Sequence, residues 1–200
     1  ILGNHDVYYR NTNMVNSVRE LFDGDINLYE TPQVVDFDGL NIALLPWVNK
    51  ENHDDSIEFI KSASAPILVG HLELRGYDVM RGVKFDGGMD PSIFERYEKV
   101  LSGHFHCKQE SGNVYYMGTQ YQITFADLNE TKGFHVLDTQ TRELEFIENP
   151  LKMFHTIVYN DEKNDYENNV KIENLKDSYV KLFVETKKKP YAFDRFVENL

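Results

Sequence analysis

The chain has 200 residues and a net charge of -12 at pH 7, so most of its surface repels polyanions, which counts against a simple electrostatic DNA-binding module. It does not exclude a nuclease, since bound cations supply positive charge locally, and solubility alone explains the acidity equally well. No run reaches the roughly 18–20 apolar residues that span a bilayer, and the single cysteine, Cys107, favours a reducing, cytoplasmic compartment.

The first fifty residues predict a strand end, a helix and a hairpin. Ile1 and Leu2 are typical of the last residues of a buried strand. A short amphipathic helix follows before the turn at 23–25, and its apolar positions recur at helical spacing: Met14, Val15, Val18, Leu21 and Phe22. An Asp38-Gly39 pair between two apolar runs predicts a β-hairpin.

The next fifty residues predict helix, strand, helix and strand. Asp55 or Ser56 can cap a helix, and the apolar run 67–69 predicts a buried strand. Asp90 and Pro91 are typical of a helix start. The positions that this second helix would bury are Ile93, Phe94, Tyr97 and Val100. The alternation of elements predicts a layered α/β domain.

The remaining residues predict more β-structure and then a second domain. The predicted segments are a strand over 114–125, a hairpin from 133–137 and 143–147, a polar loop or domain junction over 159–174, a strand over 180–184 and a helix from Ala192. The change to a polar composition after the hairpin indicates a boundary. We therefore predict a core domain over 1–150 and the start of a second domain over 151–200.

Three motifs carry the chemistry, and each follows an apolar run: Gly3-Asn4-His5-Asp6, Gly70-His71 and Gly103-His104-Phe105-His106. Because the carboxyl ends of parallel strands meet at one edge of a sheet, we expect Asn4, His71 and His104 to hold one metal ion. His106 lies two residues after His104 and suits a second, neighbouring ion. Oxygen and imidazole ligands without thiolate favour manganese, iron or zinc. Two such ions predict phosphoester hydrolysis.

His5 is better suited to donate a proton to the phosphate or the leaving alkoxide than to bind metal, and Asp6 would fix its tautomer. The segment Asn52-His53-Asp54 repeats three letters of the first motif without its glycine or its strand. We interpret that segment as a solvated loop before a helix. His135 and His155 are predicted to be structural, and Cys107, which follows His106, is predicted to point away from the metal ions.

The order of the three motifs resembles that of the calcineurin-like metallophosphoesterases. The later pieces that resemble SbcD-type double-strand-break repair nucleases are 115–119, 125–127, 132–138 and 145–147. Two further pieces, 45–47 and 70–74, resemble the phage recombination-endonuclease branch. The resemblance covers roughly residues 1 to 150.

The resemblance implies a layered sandwich of mixed β-sheets flanked by helices, followed by the start of a small α+β capping domain that helps to select DNA. It implies an exo- and endonuclease that processes DNA ends in recombination and repair. It also implies that this nuclease uses two divalent metal ions, both manganese. The implied partners are DNA, an SMC-like coiled-coil ATPase, and a second copy that binds through the helix around Val15–Phe22. From periodicity alone, the apolar face of that helix could equally well pack against the core of the same chain.

An Asp-x-His and a Gly-Asp that the resemblance places before the first motif are not found ahead of Ile1. We therefore expect a chain that is incomplete at its N-terminus. We expect the same of its C-terminus, since the last predicted helix ends without a cap. Such a chain alone should bind metal weakly and cleave poorly. The alternatives are another metallophosphoesterase that acts on phosphoproteins or small phosphoesters, and a non-catalytic scaffold with the same fold.

Overall fold

The structure, a computed structural model, describes residues 1–22, 24–166 and 175–200. The first residue of the predicted turn, Asp23, and the later part of the predicted junction lie outside these ranges. The chain divides into two compact units, of which the first comprises residues 1–120 and 131–148 and the second residues 121–130 and 149–200. Each unit is described separately.

The strands of the described residues, in chain order, are β1 (Gln33–Phe37), β2 (Leu40–Leu45), β3 (Ile67–Gly70), β4 (Asp78–Met80), β5 (Val83–Lys84), β6 (Lys99–Ser102), β7 (Gln109–Ser111), β8 (Val114–Tyr116), β9 (Gly133–Leu137), β10 (Leu144–Glu148), β11 (Phe154–Asn160) and β12 (Tyr179–Thr186). The helices are α1 (Ser17–Phe22), α2 (His53–Ser62) and α3 (Pro190–Glu198), with 3-10 turns at Pro91–Phe94 and Phe125–Asp127. The predicted α/β class is confirmed.

A six-stranded sheet in the order β1-β2-β3-β6-β8-β7 forms the centre of the first unit. Its four inner strands run parallel, and the outer strands β1 and β7 run antiparallel to their neighbours. Parallel strands are usually buried on both faces and are therefore apolar along their length. The result is that the carboxyl ends of β2, β3, β6 and β8 share one edge of the sheet.

Both faces of this sheet are buried, as the run Leu40–Leu45 indicates. Ala43 and Leu45 pack on one face with Ile60 of α2, while Ile42 and Leu44 pack on the other with residues of the β9–β10 hairpin. The alternation of β-strand side chains sends successive residues of β2 to opposite faces. The sheet is thus a rigid support for the loops at its carboxyl edge.

Both predicted hairpins are confirmed. In the first, Phe37 pairs with Leu40, and Asp38 and Gly39 have φ angles of 52° and 87°. Positive φ at both central residues is the geometry of the two-residue turn that matches strand twist. In the second hairpin, Leu137 pairs with Leu144.

Several predicted elements were wrong in extent. The predicted helix after Asp90 is a 3-10 turn that ends at Phe94, and Val100 lies in β6. The predicted strand over 114–125 stops at Tyr116, shortly before Gly118, whose φ is 70°. Over so few residues, the apolar positions of each segment match the spacing of a helix and that of a strand. Periodicity alone therefore assigned both segments wrongly.

The two predicted N-terminal helices also begin elsewhere. The first is only Ser17–Phe22, because the backbone before it forms a bridge in which the Tyr8 amide donates to the Val15 carbonyl at 2.9 Å. The second, α2, begins at His53 rather than after a cap at Asp55 or Ser56. The helical stripe around Val15–Phe22 has no buried member within α1, so the core-facing alternative is wrong.

The second unit contains the parallel pair β11–β12 and the helix α3. Strand β11 occupies the start of the predicted loop 159–174 and was not predicted. Tyr159 packs against Phe193 and Phe196 of α3, with ring centroids 4.9 Å and 5.5 Å away. Among the described residues of the whole chain, no helix is long and apolar enough to cross a membrane.

Candidate metal centre

The carboxyl edge of the main sheet brings two predicted ligands together. Gly70 at the end of β3 pairs with Ser102 at the end of β6, so the residues that follow, His71 and His104, are neighbours. Their ring centroids lie 5.1 Å apart. The Trp47 amide after β2 donates to the Leu2 carbonyl at 2.9 Å, and this bond holds the loop of Asn4 at the same edge.

Three donor atoms converge at this edge, and we call them the donor triangle. Nε2 of His71 lies 2.9 Å from Oδ1 of Asn4, and Nδ1 of His104 lies 3.3 Å from the same oxygen. The two ring nitrogens are 3.2 Å apart. The structure therefore assembles Asn4, His71 and His104 as the sequence predicted.

Hydrogen bonds cannot account for all three sides of the donor triangle. The amide oxygen of Asn4 carries no hydrogen, and each ring nitrogen carries at most one, so the three sides have at most two hydrogens. The contact of His104 Nε2 with Glu73 Oε1 at 3.1 Å places the proton of a neutral His104 on Nε2. The lone pair of His104 Nδ1 then faces the Asn4 oxygen, an arrangement that a cation between them would stabilise.

The size of the donor triangle fits one metal ion. With metal–ligand bonds of about 2.1 Å, neighbouring ligand atoms are about 3.0 Å apart in octahedral and about 3.4 Å apart in tetrahedral geometry. The three observed separations lie within or close to that range. Among the described residues, no group of three or more His, Cys, Asp or Glu side chains is placed to hold a metal ion, and the donor triangle itself combines two imidazoles with one amide oxygen.

Glu73 is a site residue that the motifs did not reveal. It lies two residues after His71, and its carboxylate holds His104 in the tautomer that leaves Nδ1 available for metal. Burial lowers the pKa of His104, although the carboxylate of Glu73 opposes that shift. Burial therefore favours the neutral imidazole, and the contact with Glu73 orients it; a neutral imidazole is the form that binds a metal.

Two glycines of the motifs make room for the His71 ring. A Cβ on Gly3 would lie 2.8 Å from Cε1 of His71, and one on Gly103 would lie 3.1 Å from its Nδ1. His104 itself has a φ of 85°, a left-handed conformation that costs a non-glycine residue roughly 1–3 kcal/mol. The backbone is therefore strained at the residue that carries a donor atom.

Tyr116 fixes the turn between His71 and Glu73, and sequence reasoning missed it. Its fully buried hydroxyl donates to the Leu72 carbonyl at 2.8 Å and accepts from the Leu74 amide at 3.1 Å. Burial raises the pKa of Tyr116, so the phenol stays protonated as this pattern requires. The sequence signal was weak, because the pattern around Tyr116 indicated only a residue within a strand.

The remaining predicted site residues lie around the donor triangle. His5 and His106 are exposed, and their charges help to lower the pKa values of His71 and His104. The Asp6 carboxylate accepts from the Gly3 amide at 2.7 Å, which closes the loop that carries Asn4. That backbone contact was not predicted. The predicted roles of His5, Asp6 and His106 stay predictions.

Acidification is expected to destabilise the metal-free protein through His71. Burial lowers the pKa of His71 to about 4, with His104 adding to the shift and Asp6 opposing it. Because an unfolded histidine titrates near 6.5, the unfolded state binds more protons between these values, so stability falls as pH drops from about 6.5 to 4, by about 2–3 kcal/mol. Urea unfolding in EDTA at several pH values measures this. His71→Gln should lose that part of the pH dependence, whereas His53→Gln should keep it; equal slopes for His71→Gln and wild type would contradict the assignment.

Comparison with known proteins reveals nuclease subunits. The chain is 40% identical over 161 residues to exonuclease subunit 1 of Enterobacteria phage T4, a match that covers 80% of this chain and 47% of that protein. The resemblance predicted from the motifs is confirmed. SbcD-type similarity extends to a subunit of the SbcCD nuclease of Staphylococcus epidermidis, at 31% identity over 85 residues, which are 39% of this chain and 23% of that protein.

The corresponding SbcCD nuclease protein of Staphylococcus saprophyticus is 23% identical over 99 residues, covering 44% of this chain and 25% of that protein. No protein-family model matches the chain. The chain spans about half the length of the phage relative and about a quarter of each SbcCD relative.

Proposed function

We propose that the protein containing this chain is a DNA nuclease that hydrolyses phosphodiester bonds with two divalent ions, of which manganese is the one we favour, in recombination and double-strand-break repair. The observation that carries the proposal is the donor triangle of Asn4, His71 and His104, whose three donor atoms lie 2.9, 3.2 and 3.3 Å apart, a size that fits one cation. Its relatives are named as nuclease subunits, which supports DNA as the substrate.

The residues divide into three roles. Asn4, His71 and His104 hold one ion, and His106 contributes to a second ion beside it. Bound divalent ions supply Lewis acidity to the phosphate and lower the pKa of a water nucleophile. His5, exposed next to Asn4, donates a hydrogen bond to the phosphate or a proton to the leaving oxygen. Asp6 supports His5 electrostatically and closes the loop.

The architecture supports the same proposal. The sheet is mixed and buried on both faces, and the candidate site lies at its carboxyl edge. A metallophosphoesterase sandwich requires this arrangement. We assign that sandwich to the core predicted over 1–150. The capping domain that helps to select DNA would then begin near residue 151, and the β11–β12 pair and α3 are its first elements.

We propose two protein partners, and the naming of the relatives as subunits supports the existence of a partner subunit. We assign a second copy of the protein to the exposed apolar surface around α1, where Met14 and Leu21 are 63% and 72% exposed. An SMC-like coiled-coil ATPase is the proposed partner in the complex. DNA as the substrate places this work in the cytoplasm of a bacterial or phage-infected cell.

The experiment is a cleavage assay of the complete protein on single- and double-stranded DNA, with a small phosphodiester and a phosphopeptide as competing substrate classes. We expect DNA cleavage that requires manganese and stops with EDTA. Preference for the phosphopeptide would favour a phosphoprotein phosphatase instead. A protein that binds no manganese would favour the non-catalytic scaffold.

A further inference from the structure

A cavity of about 390 Å³ lies beside the donor triangle in the first unit. His71 and Glu73 line it, so the cavity shares two residues with the site already described. Trp47, Ile57 and Ile93 supply apolar surface to the cavity. Its volume lies within the roughly 300–1,000 Å³ that is typical of small-ligand pockets. A group attached to a phosphate at the donor triangle would therefore have a cavity next to it.

The walls of the cavity are held by hydrogen bonds. The Trp47 carbonyl accepts from the side-chain amides of Asn13 and Asn52, each at 3.0 Å, and the Trp47 amide donates to Leu2. Gly88, another lining residue, packs so closely that a Cβ there would lie 2.3 Å from the Glu73 carbonyl oxygen. The cavity is thus formed before any ligand enters, which lowers the entropic cost of binding.

The charge of the lining selects against a phosphate and in favour of a neutral, hydrogen-bonding ring. Glu73 and Asp90 are carboxylates, and none of the described residues that line the cavity is Lys or Arg. Carboxylate oxygens accept hydrogen bonds from the exocyclic amino groups of bases. An aromatic side chain such as Trp47 provides a stacking surface that every base can use.

We propose that this cavity is a base pocket, which receives the nucleobase of a nucleotide that flanks the scissile phosphate. The proposal rests on the proposed nuclease function and adds a binding subsite to it. Trp47, Ile57 and Ile93 contact the base, and Asp90 accepts from its amino group. The base pocket also gives a location to His53, which begins α2 and lines the cavity, although the sequence predicted only a solvated loop there.

The test compares two DNA substrates under single-turnover conditions in manganese, using the complete protein. One substrate is unmodified, and the other carries a tetrahydrofuran abasic site in place of each nucleotide that flanks the scissile phosphate. Loss of base stacking, at about 1–3 kcal/mol, predicts cleavage of the abasic substrate that is roughly 5- to 150-fold slower.

Two filling variants, Ile93→Trp and Ile93→Phe, locate the effect. Both should slow cleavage of the unmodified substrate to the rate of the abasic one and leave the abasic rate unchanged. The matched control is Val83→Trp, which adds an indole on the exposed strand β5 and should keep the full difference between substrates.

Three results would overturn the base pocket. The wild-type protein could cleave both substrates at equal rates. Both filling variants could keep the wild-type difference in rate between the substrates, or both could lose the same factor in cleavage rate on the two substrates. In each of these the wild-type protein still cleaves DNA, so the proposed function stands. Cleavage of neither substrate by the wild-type protein would overturn the nuclease function and the base pocket together.

Discussion

His104→Ala is expected to reduce manganese-dependent DNA cleavage by roughly 10³-fold, which corresponds to about 4 kcal/mol of lost transition-state stabilisation. The variant removes Nδ1 from the donor triangle and leaves the Glu73 carboxylate without its imidazole partner. Manganese affinity, measured by titration calorimetry of the complete protein, should fall along with the rate. His71→Ala should act similarly, because it removes the other ring nitrogen of the triangle.

The backbone strain at His104 allows the loss of metal binding to be separated from a change in stability. Because φ is 85° there, His104→Gly should relieve strain that His104→Ala retains, by about 1 kcal/mol in the free energy of unfolding. Both variants should lose metal equally. His135→Gln, which removes an imidazole from β9 beside Phe146, is the matched control and should retain metal affinity and activity. Full activity in His104→Ala would contradict the assigned site.

Tyr116→Phe is the second variant with a large expected effect. It deletes one oxygen but leaves the Leu72 carbonyl and the Leu74 amide, both on a buried turn, without their partner. Unsatisfied buried polar groups cost about 1–3 kcal/mol each, so the free energy of unfolding should fall by roughly 2–4 kcal/mol. Because the same turn carries Glu73, manganese affinity should also fall by roughly 10-fold.

Tyr97→Phe is the matched control for Tyr116→Phe. The Tyr97 hydroxyl is also buried and donates to the Ile60 carbonyl at 2.8 Å, but its partner lies on α2 rather than on the turn after His71. This control should lose about 1 kcal/mol of stability and no manganese affinity. Urea unfolding and calorimetry measure the two quantities separately. Equal metal affinity in Tyr116→Phe and Tyr97→Phe would show that Tyr116 does not position the site.

The convergence of Asn4, His71 and His104 was predictable because it depends on topology. Each residue follows an apolar strand or strand-like run, and parallel strands present their carboxyl ends at one edge. The separation of 67 residues between Asn4 and His71 did not matter, because the bond from the Trp47 amide to Leu2 holds the Asn4 loop at the end of β2, and β3 is the next strand of the sheet. The two hairpins were predictable for a more local reason, since their turn residues specify the connection.

The residues that support the site were not predictable in the same way. The bonds from Tyr116 span 42 and 44 residues, and no local pattern indicates which inward-facing tyrosine will reach a turn. Glu73 and Trp47 acquire their roles only through the positions of other elements. Short segments also misled periodicity, because Val100 fits a helical template and a strand equally well. Tertiary packing decided these cases.

Anomalous diffraction from manganese-soaked crystals of the complete protein tests whether the donor triangle binds metal. We expect a manganese peak about 2.2 Å from Oδ1 of Asn4, Nε2 of His71 and Nδ1 of His104, with Glu73 still bound to Nε2 of His104. A second peak near His106 would match the proposed pair of ions. A protein that cleaves DNA in manganese but shows no peak at the donor triangle would show that these three residues do not hold the catalytic ion.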